Sequence, residues 1–207
     1  MEQLADPEYR ASPIPRRDGE RRVFATVALD VDSGVAGIDG IEWLAARRGD
    51  SVARNVAALA AQAAAGVISP ALAYAESLAA IRPHRDDVDA LSRAYVEAIA
   101  PGCADTITRF RRAGVRVLIV SRAPRHAMYR LAYRLGLDGD DVHAVDMRFD
   151  ALGAYAGFDP TSLRASGPEK AAVLDDLDIE RPLLVVGDGP TERAVDSFAQ
   201  LASIVLA

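Results

Sequence analysis

Two aspartates one residue apart, Asp30 and Asp32, close an apolar run in the stretch ATVALDVDSGVAG, residues 25–37. Two carboxylates beside a core repel each other and resist desolvation, so the pair calls for a cation or a proton to offset it. Further along stand groups of complementary chemistry: Ser121-Arg122, Lys170, and an acidic loop Gly187-Asp188-Gly189-Pro190-Thr191-Glu192. The donors are oxygens, with no His or Cys cluster, so the fitting cation is hard and Mg²⁺ is the first choice. Asp30 and Asp188 are its expected carboxylate ligands, with a backbone oxygen at Asp32. An ionised Asp30 held there can attack phosphorus. Asp32, pointing to the same side of an extended chain, can protonate the leaving oxygen and then activate water. Ser121, Arg122 and Lys170 would bind and neutralise the phosphoryl oxygens. Taken singly, each of these residues reads as a turn former, a cap or a solvated lysine. In this order, each at the end of an apolar run or on the adjoining helix, they form a set.

The elements that must position the set are legible as four apolar runs, 23–29, 115–120, 142–145 and 182–186, separated by helical patterns. Such runs suit strands buried on both faces of a parallel sheet, whose ligands bind beyond the carboxyl ends of the strands. A last short strand is expected over 203–207. The interval between the first two runs is far longer than a crossover needs. It reads as helices over 40–48, 51–65, 70–81 and 86–99, with Asp50-Ser51 and Asp86-Asp87 as N-cap positions. Alternation over 147–158 around Gly153 signals a hairpin. The expected fold is therefore α/β: a Rossmann-like parallel sheet core, residues 23–35 and 102–207, with a helical cap, residues 36–101, inserted after the first strand. Residues 1–22 are expected to be a loosely ordered arm.

The 207-residue chain is half apolar and carries a net charge of −6, which gives it no electrostatic reason to hold nucleic acid or an anionic membrane. Residues 56–68 are too short a span for a bilayer, and the N-terminal arm lacks the apolar centre of a signal peptide, so a cytoplasmic protein is expected. Cys103 stands alone, which excludes a disulfide framework. His84, His126 and His143 are scattered and read as surface or satisfied residues, and Trp43 and Tyr74 as core of the helical cap.

The segments DVDSG, SRAPR, SGPEK and GDGPTE resemble the four-motif signature of the haloacid dehalogenase-like (HAD) superfamily. GIEWLA and GAYAGFD are similar to linking segments of its phosphoserine phosphatase branch. The resemblance implies Asp30 as nucleophile, Asp32 as general acid/base, Ser121 and Lys170 as phosphate binders, and Asp188 as metal ligand, with Thr191 matching a threonine after the fourth motif. It also exposes departures. Gly34 replaces the first motif's threonine, Arg122-Ala123 replace two glycines, and the outer acid of the fourth motif is Glu192. The branch's substrate-binding Glu falls on Asp39 and its carboxylate-binding Arg on Ser77, where a bidentate contact cannot be made; Arg82 and Arg122 are the candidate substitutes. The expected activity is Mg²⁺-dependent hydrolysis of a small-molecule phosphate ester through an aspartyl-phosphate, with an altered substrate pocket. The rivals are phosphoryl transfer to an alcohol and a non-catalytic phosphometabolite-binding protein. An exposed sheet edge would allow a homodimer.

Overall fold

The computed structural model describes residues 8–12, 14–15, 21–163, 174, 177–187 and 192–206. Along the chain run β1 (Thr26–Asp30), α1 (Gly40–Ala46), α2 (Asp50–Ala64), α3 (Pro70–Ile81), α4 (Arg85–Glu97), α5 (Cys103–Arg112), β2 (Arg116–Pro124), α6 (Arg125–Leu135), β3 (Val142–Val145), β4 (Met147–Phe149), β5 (Tyr155–Phe158), α7 (Pro160–Leu163), β6 (Leu183–Val186) and α8 (Phe198–Val205). The four apolar runs become one parallel sheet in the order β3-β2-β1-β6, and β4 and β5 form the separate antiparallel hairpin. Its register decides what meets at the upper edge: Asp30 lies opposite Val120, and Leu29 opposite Val186. The next residues, Ser121 and Gly187, therefore flank Asp30 where β1 and β6 end; β2 runs on to Pro124, four residues past the expected end of its apolar run, so Ser121 lies within that strand.

Both faces of the central strand are covered, as a continuous apolar run requires. Val27 and Leu29 join a cluster with α5 and α6, while Ala28 joins Leu118, Val120 and Leu174 on the other face. The first cluster extends without a break into α1, α3 and α4 through Leu44, Leu78, Leu91 and Tyr95. The helical segment is thus packed on the same core as the sheet. Its two ends are joined by a bridge between Ala36 and Ile99 and a bond from Ala100 N to Val35 O of 2.9 Å.

Several local expectations change. Residues 203–205 close α8 instead of opening a strand. Ser197 Oγ accepts from Gln200 N, and Phe198, Leu201, Ala202 and Val205 bury one helical face. That period overrides the β-branched Ile204-Val205 pair; Leu206 alone makes a bridge, to Arg22. Asp50 lies inside the first turn of α2, whose N-cap is Gly49 at φ +98 without a side-chain bond. Helix α4 begins earlier than expected: His84 is its N-cap, and Asp87 Oδ2 accepts from His84 N at 2.8 Å to close a capping box. The described part of the arm is docked, not loose. Gly139 N donates to Tyr9 O at 3.1 Å, Ala11 N to Asp138 Oδ1 at 2.5 Å, and Tyr9 meets the Tyr133 ring edge-on at 4.7 Å. Among the described residues no helix is long and apolar enough to cross a membrane.

Candidate active site

Asp30 ends β1, and the chain turns at once through a single wide turn, Val31–Val35. The Asp30 carboxylate caps that turn by accepting from Asp32 N at 3.0 Å. This corrects one expectation: Asp32 does not share a side with Asp30 through strand alternation, because the backbone is no longer extended there. The turn itself brings the second carboxylate back over the sheet edge.

Asp32 is held from two elements. Tyr95 Oη, on α4, donates to its Oδ1 at 2.6 Å, and Ser121 Oγ, on β2 just past its last pairing with β1, makes a long contact of 3.5 Å with its Oδ2. Burial pushes the Asp32 carboxyl up to about 7. The Tyr95 hydrogen bond lowers it in part, the charges of Asp39 and Asp30 raise it further, and Arg122 pulls it down. A group poised near neutrality suits both donation and acceptance of a proton.

Ser121 is buried, and its Oγ accepts from Ala123 N at 3.0 Å, which orients the hydroxyl across the strand ends. Arg122 extends to the surface, with Nη2 lying 3.7 Å from Asp39 Oδ2, and its carbonyl oxygen accepts from Tyr74 Oη at 2.6 Å. Asp39 is also the N-cap of α1, its Oδ1 accepting from Ile41 N and Glu42 N at 2.8 and 2.9 Å. Ser77 is buried, and its hydroxyl donates to Ala73 O of its own helix at 2.7 Å. Arg82 terminates α3 in the left-handed region and is exposed. A Cβ at Gly34 would meet nothing within 4 Å, so packing does not require the missing side chain.

Glu192 reaches the same edge. Arg193 N donates to Val185 O at 2.8 Å, drawing the chain back along β6. Glu192 Oε2 lies 1.7 Å from where a Cβ of Gly187 would stand, and Asp30 Cβ lies 3.0 Å from the same point. Lys170, Asp188 and Thr191 lie outside the described residues. Among the described residues no three His, Cys, Asp or Glu side chains group tightly enough to hold a metal ion. The donor set nonetheless suits a hard cation: it offers oxygens alone, and mutual repulsion with burial holds Asp32 near neutrality where a positive charge would relieve it.

Sequence reasoning passed over Tyr95 and Gly40. Tyr95 continues the buried stripe Val88, Leu91, Ser92 of α4, and a tyrosine in such a stripe needs a partner for its hydroxyl, which was the available signal.

The sequence model described as haloacid dehalogenase-like hydrolase matches residues 26–191. Phosphoserine phosphatase of Rattus norvegicus is 30% identical over 178 residues, covering 83% of this chain and 78% of the relative. Two solved structures share the fold. One is a substrate-bound phosphoserine phosphatase complex, with TM-score 0.65 and 17% identity, covering 83% of this chain and 80% of that one. The other is a phospho-aspartyl intermediate analogue of phosphoserine phosphatase, with TM-score 0.59 and 20% identity, covering 83% and 79%.

Proposed function

The chain belongs to the haloacid dehalogenase-like hydrolase family and is a phosphoric monoester hydrolase akin to the phosphoserine phosphatases; we propose that it works through an aspartyl-phosphate formed on Asp30. The observation that carries this reading is the pairing of Asp30, at the end of β1, with a half-buried Asp32 poised near pH 7 and a buried Ser121 on the neighbouring strand β2.

In the first step an Asp30 carboxylate oxygen attacks phosphorus. The bond to the ester oxygen breaks, and that oxygen takes the proton of the Asp32 carboxyl. In the second step Asp32, now ionised, takes a proton from water as the water oxygen attacks phosphorus. The Asp30–phosphorus bond breaks, inorganic phosphate leaves and Asp30 is restored. Ser121 Oγ donates to a phosphoryl oxygen, and Lys170 is assigned to neutralise another. Asp30, Asp188 and the Asp32 backbone oxygen would hold Mg²⁺, which supplies charge neutralisation for the phosphoryl group when bound.

The substrate is a small phosphate ester that need not be L-phosphoserine. Position 77 offers a hydroxyl already used by its own helix, and the charges that stand at the mouth are those of Arg122 and Asp39. The same reading keeps the enzyme in the cytoplasm and allows two copies to pair along β6, the outer strand on that side among the described residues. A monomeric mass at micromolar concentration contradicts the pairing. Phosphate release from a panel of metabolite esters with Mg²⁺ tests the activity. Release by the wild type, lost in Asp30→Asn, is the expected result, and activity unaffected by Asp30→Asn overturns the mechanism.

A further inference from the structure

We propose that Tyr95 is a positioning residue for proton transfer: its hydroxyl fixes Asp32 Oδ1 as a hydrogen-bond acceptor and leaves Oδ2 as the oxygen that carries the mobile proton. The inference rests on the phosphatase reading and deepens it.

Three observations converge. The first is the bond itself, 2.6 Å from Tyr95 Oη to Asp32 Oδ1, made by a side chain with 0% exposure. Packing alone would be served as well by phenylalanine, and a buried phenol is tolerated only with a partner. The second is Gly40, the first residue of α1. Its φ is not in the left-handed region, so the backbone there does not call for glycine. A Cβ at that position would clash with Tyr95 Oη at 2.2 Å and would lie 3.1 Å from Tyr95 Cζ and 2.9 Å from Ala123 Cβ. The missing side chain is what lets the phenol reach past α1 to the turn after β1. The third is the opposite oxygen of Asp32. Oδ2 faces Ser121 Oγ at 3.5 Å, on the side where Ser121 meets the phosphoryl group in the proposed mechanism. With Oδ1 committed to Tyr95, the acid presents one defined oxygen to the ester, and proton transfer gains the fixed geometry on which its rate depends.

Leaving-group dependence tests this role. An alkyl phosphate must have its departing oxygen protonated, whereas p-nitrophenolate departs as an anion. With Mg²⁺ present, Tyr95→Phe is expected to lower kcat/KM about tenfold or more for an alkyl phosphate and less than about threefold for p-nitrophenyl phosphate. Gly40→Ala, which displaces the phenol, is expected to shift the ratio of the two in the same direction. The double variant is expected to be no more selective than Tyr95→Phe alone, because both remove one interaction. An equal loss on both esters, or no loss on either, overturns the positioning role while leaving the phosphatase reading standing. Wild-type protein that releases phosphate from neither ester overturns both. Should Tyr95→Phe not fold, the Gly40→Ala ratio decides in its place.

Discussion

At the base of the sheet, where the strands begin, charges meet counter-charges. Arg116 Nε donates to Asp141 Oδ1 at 2.8 Å, Arg22 pairs with Glu180, and Arg10 lies 2.7 Å from Asp140. The docked arm adds Ser12 O, which accepts from Arg111 at 3.0 Å. At the opposite end of the same strands, Asp30, Asp32, Asp39 and Glu192 gather around one edge, and Arg122 faces them from the surface. The base is arranged as a folding protein arranges charge. The upper edge sets acids against one another in a half-buried place, which costs stability and is the arrangement that a bound cation would relieve.

The largest expected effect comes from removing the nucleophile: Asp30→Asn should lower turnover by about a thousandfold or more in a phosphate-release assay. Asp32→Asn should lower kcat/KM for an alkyl phosphate by about 10²–10⁴, yet it should stabilise the metal-free protein above neutrality. The sign follows from linkage. The folded Asp32 pKa, about 7, is raised above its ordinary 3.8, so its favourable contribution is present below 3.8 and lost as pH rises through 7. Thermal melts should show the variant's advantage growing from pH 5 to pH 8 and shrinking when Mg²⁺ is added. An unchanged difference across that range would mean that burial does not hold the Asp32 carboxyl protonated toward neutral pH.

Between the two regions lies His143 on the outer strand β3, its buried Nε2 without a hydrogen-bond partner among the described residues. Burial, with Arg125 and Arg116 nearby, pushes its pKa down to about 4. Its contribution to stability is therefore present above about 6.5 and lost as pH falls toward 4. His143→Leu should flatten that acid-side loss, on the order of 1–2 kcal/mol by pH 5 in denaturant titrations. The smallest effect belongs to the base. Burial raises the Asp141 pKa even with Arg116 beside it, and the Arg116 side chain is 42% exposed. Arg116→Ala should cost only about 0.5–1 kcal/mol and leave kcat unchanged. A loss of activity there would break the division between the two ends.

The parallel sheet and the strand-end acids were legible because each depends on local sequence. An apolar run of four to seven residues declares a buried strand, and the polar residue after it falls on the upper edge whatever the neighbours do. What failed to show depends on tertiary pairing. Nothing near Tyr95 indicates that its hydroxyl will meet a carboxylate 63 positions away, and nothing near Gly40 shows whose atoms need its missing Cβ. Residues 203–205 depart from the expected strand because Ile204-Val205 favour a strand locally, while the apolar period from Phe198 that makes α8 becomes decisive only once a partner helix covers it. Strand alternation would set Asp32 on the same side as Asp30, but it stops at Asp30, whose own carboxylate caps a turn. Of the expected site, Lys170, Asp188 and Thr191 lie outside the described residues.

The central claim is a covalent phosphoryl group on Asp30. Acid-quenching the protein during turnover of p-nitrophenyl phosphate with Mg²⁺, followed by peptide mass analysis, tests it most directly. One phosphoryl adduct on the carboxylate of Asp30, and none in Asp30→Asn, is the expected result. Steady turnover with an adduct on another residue would contradict it.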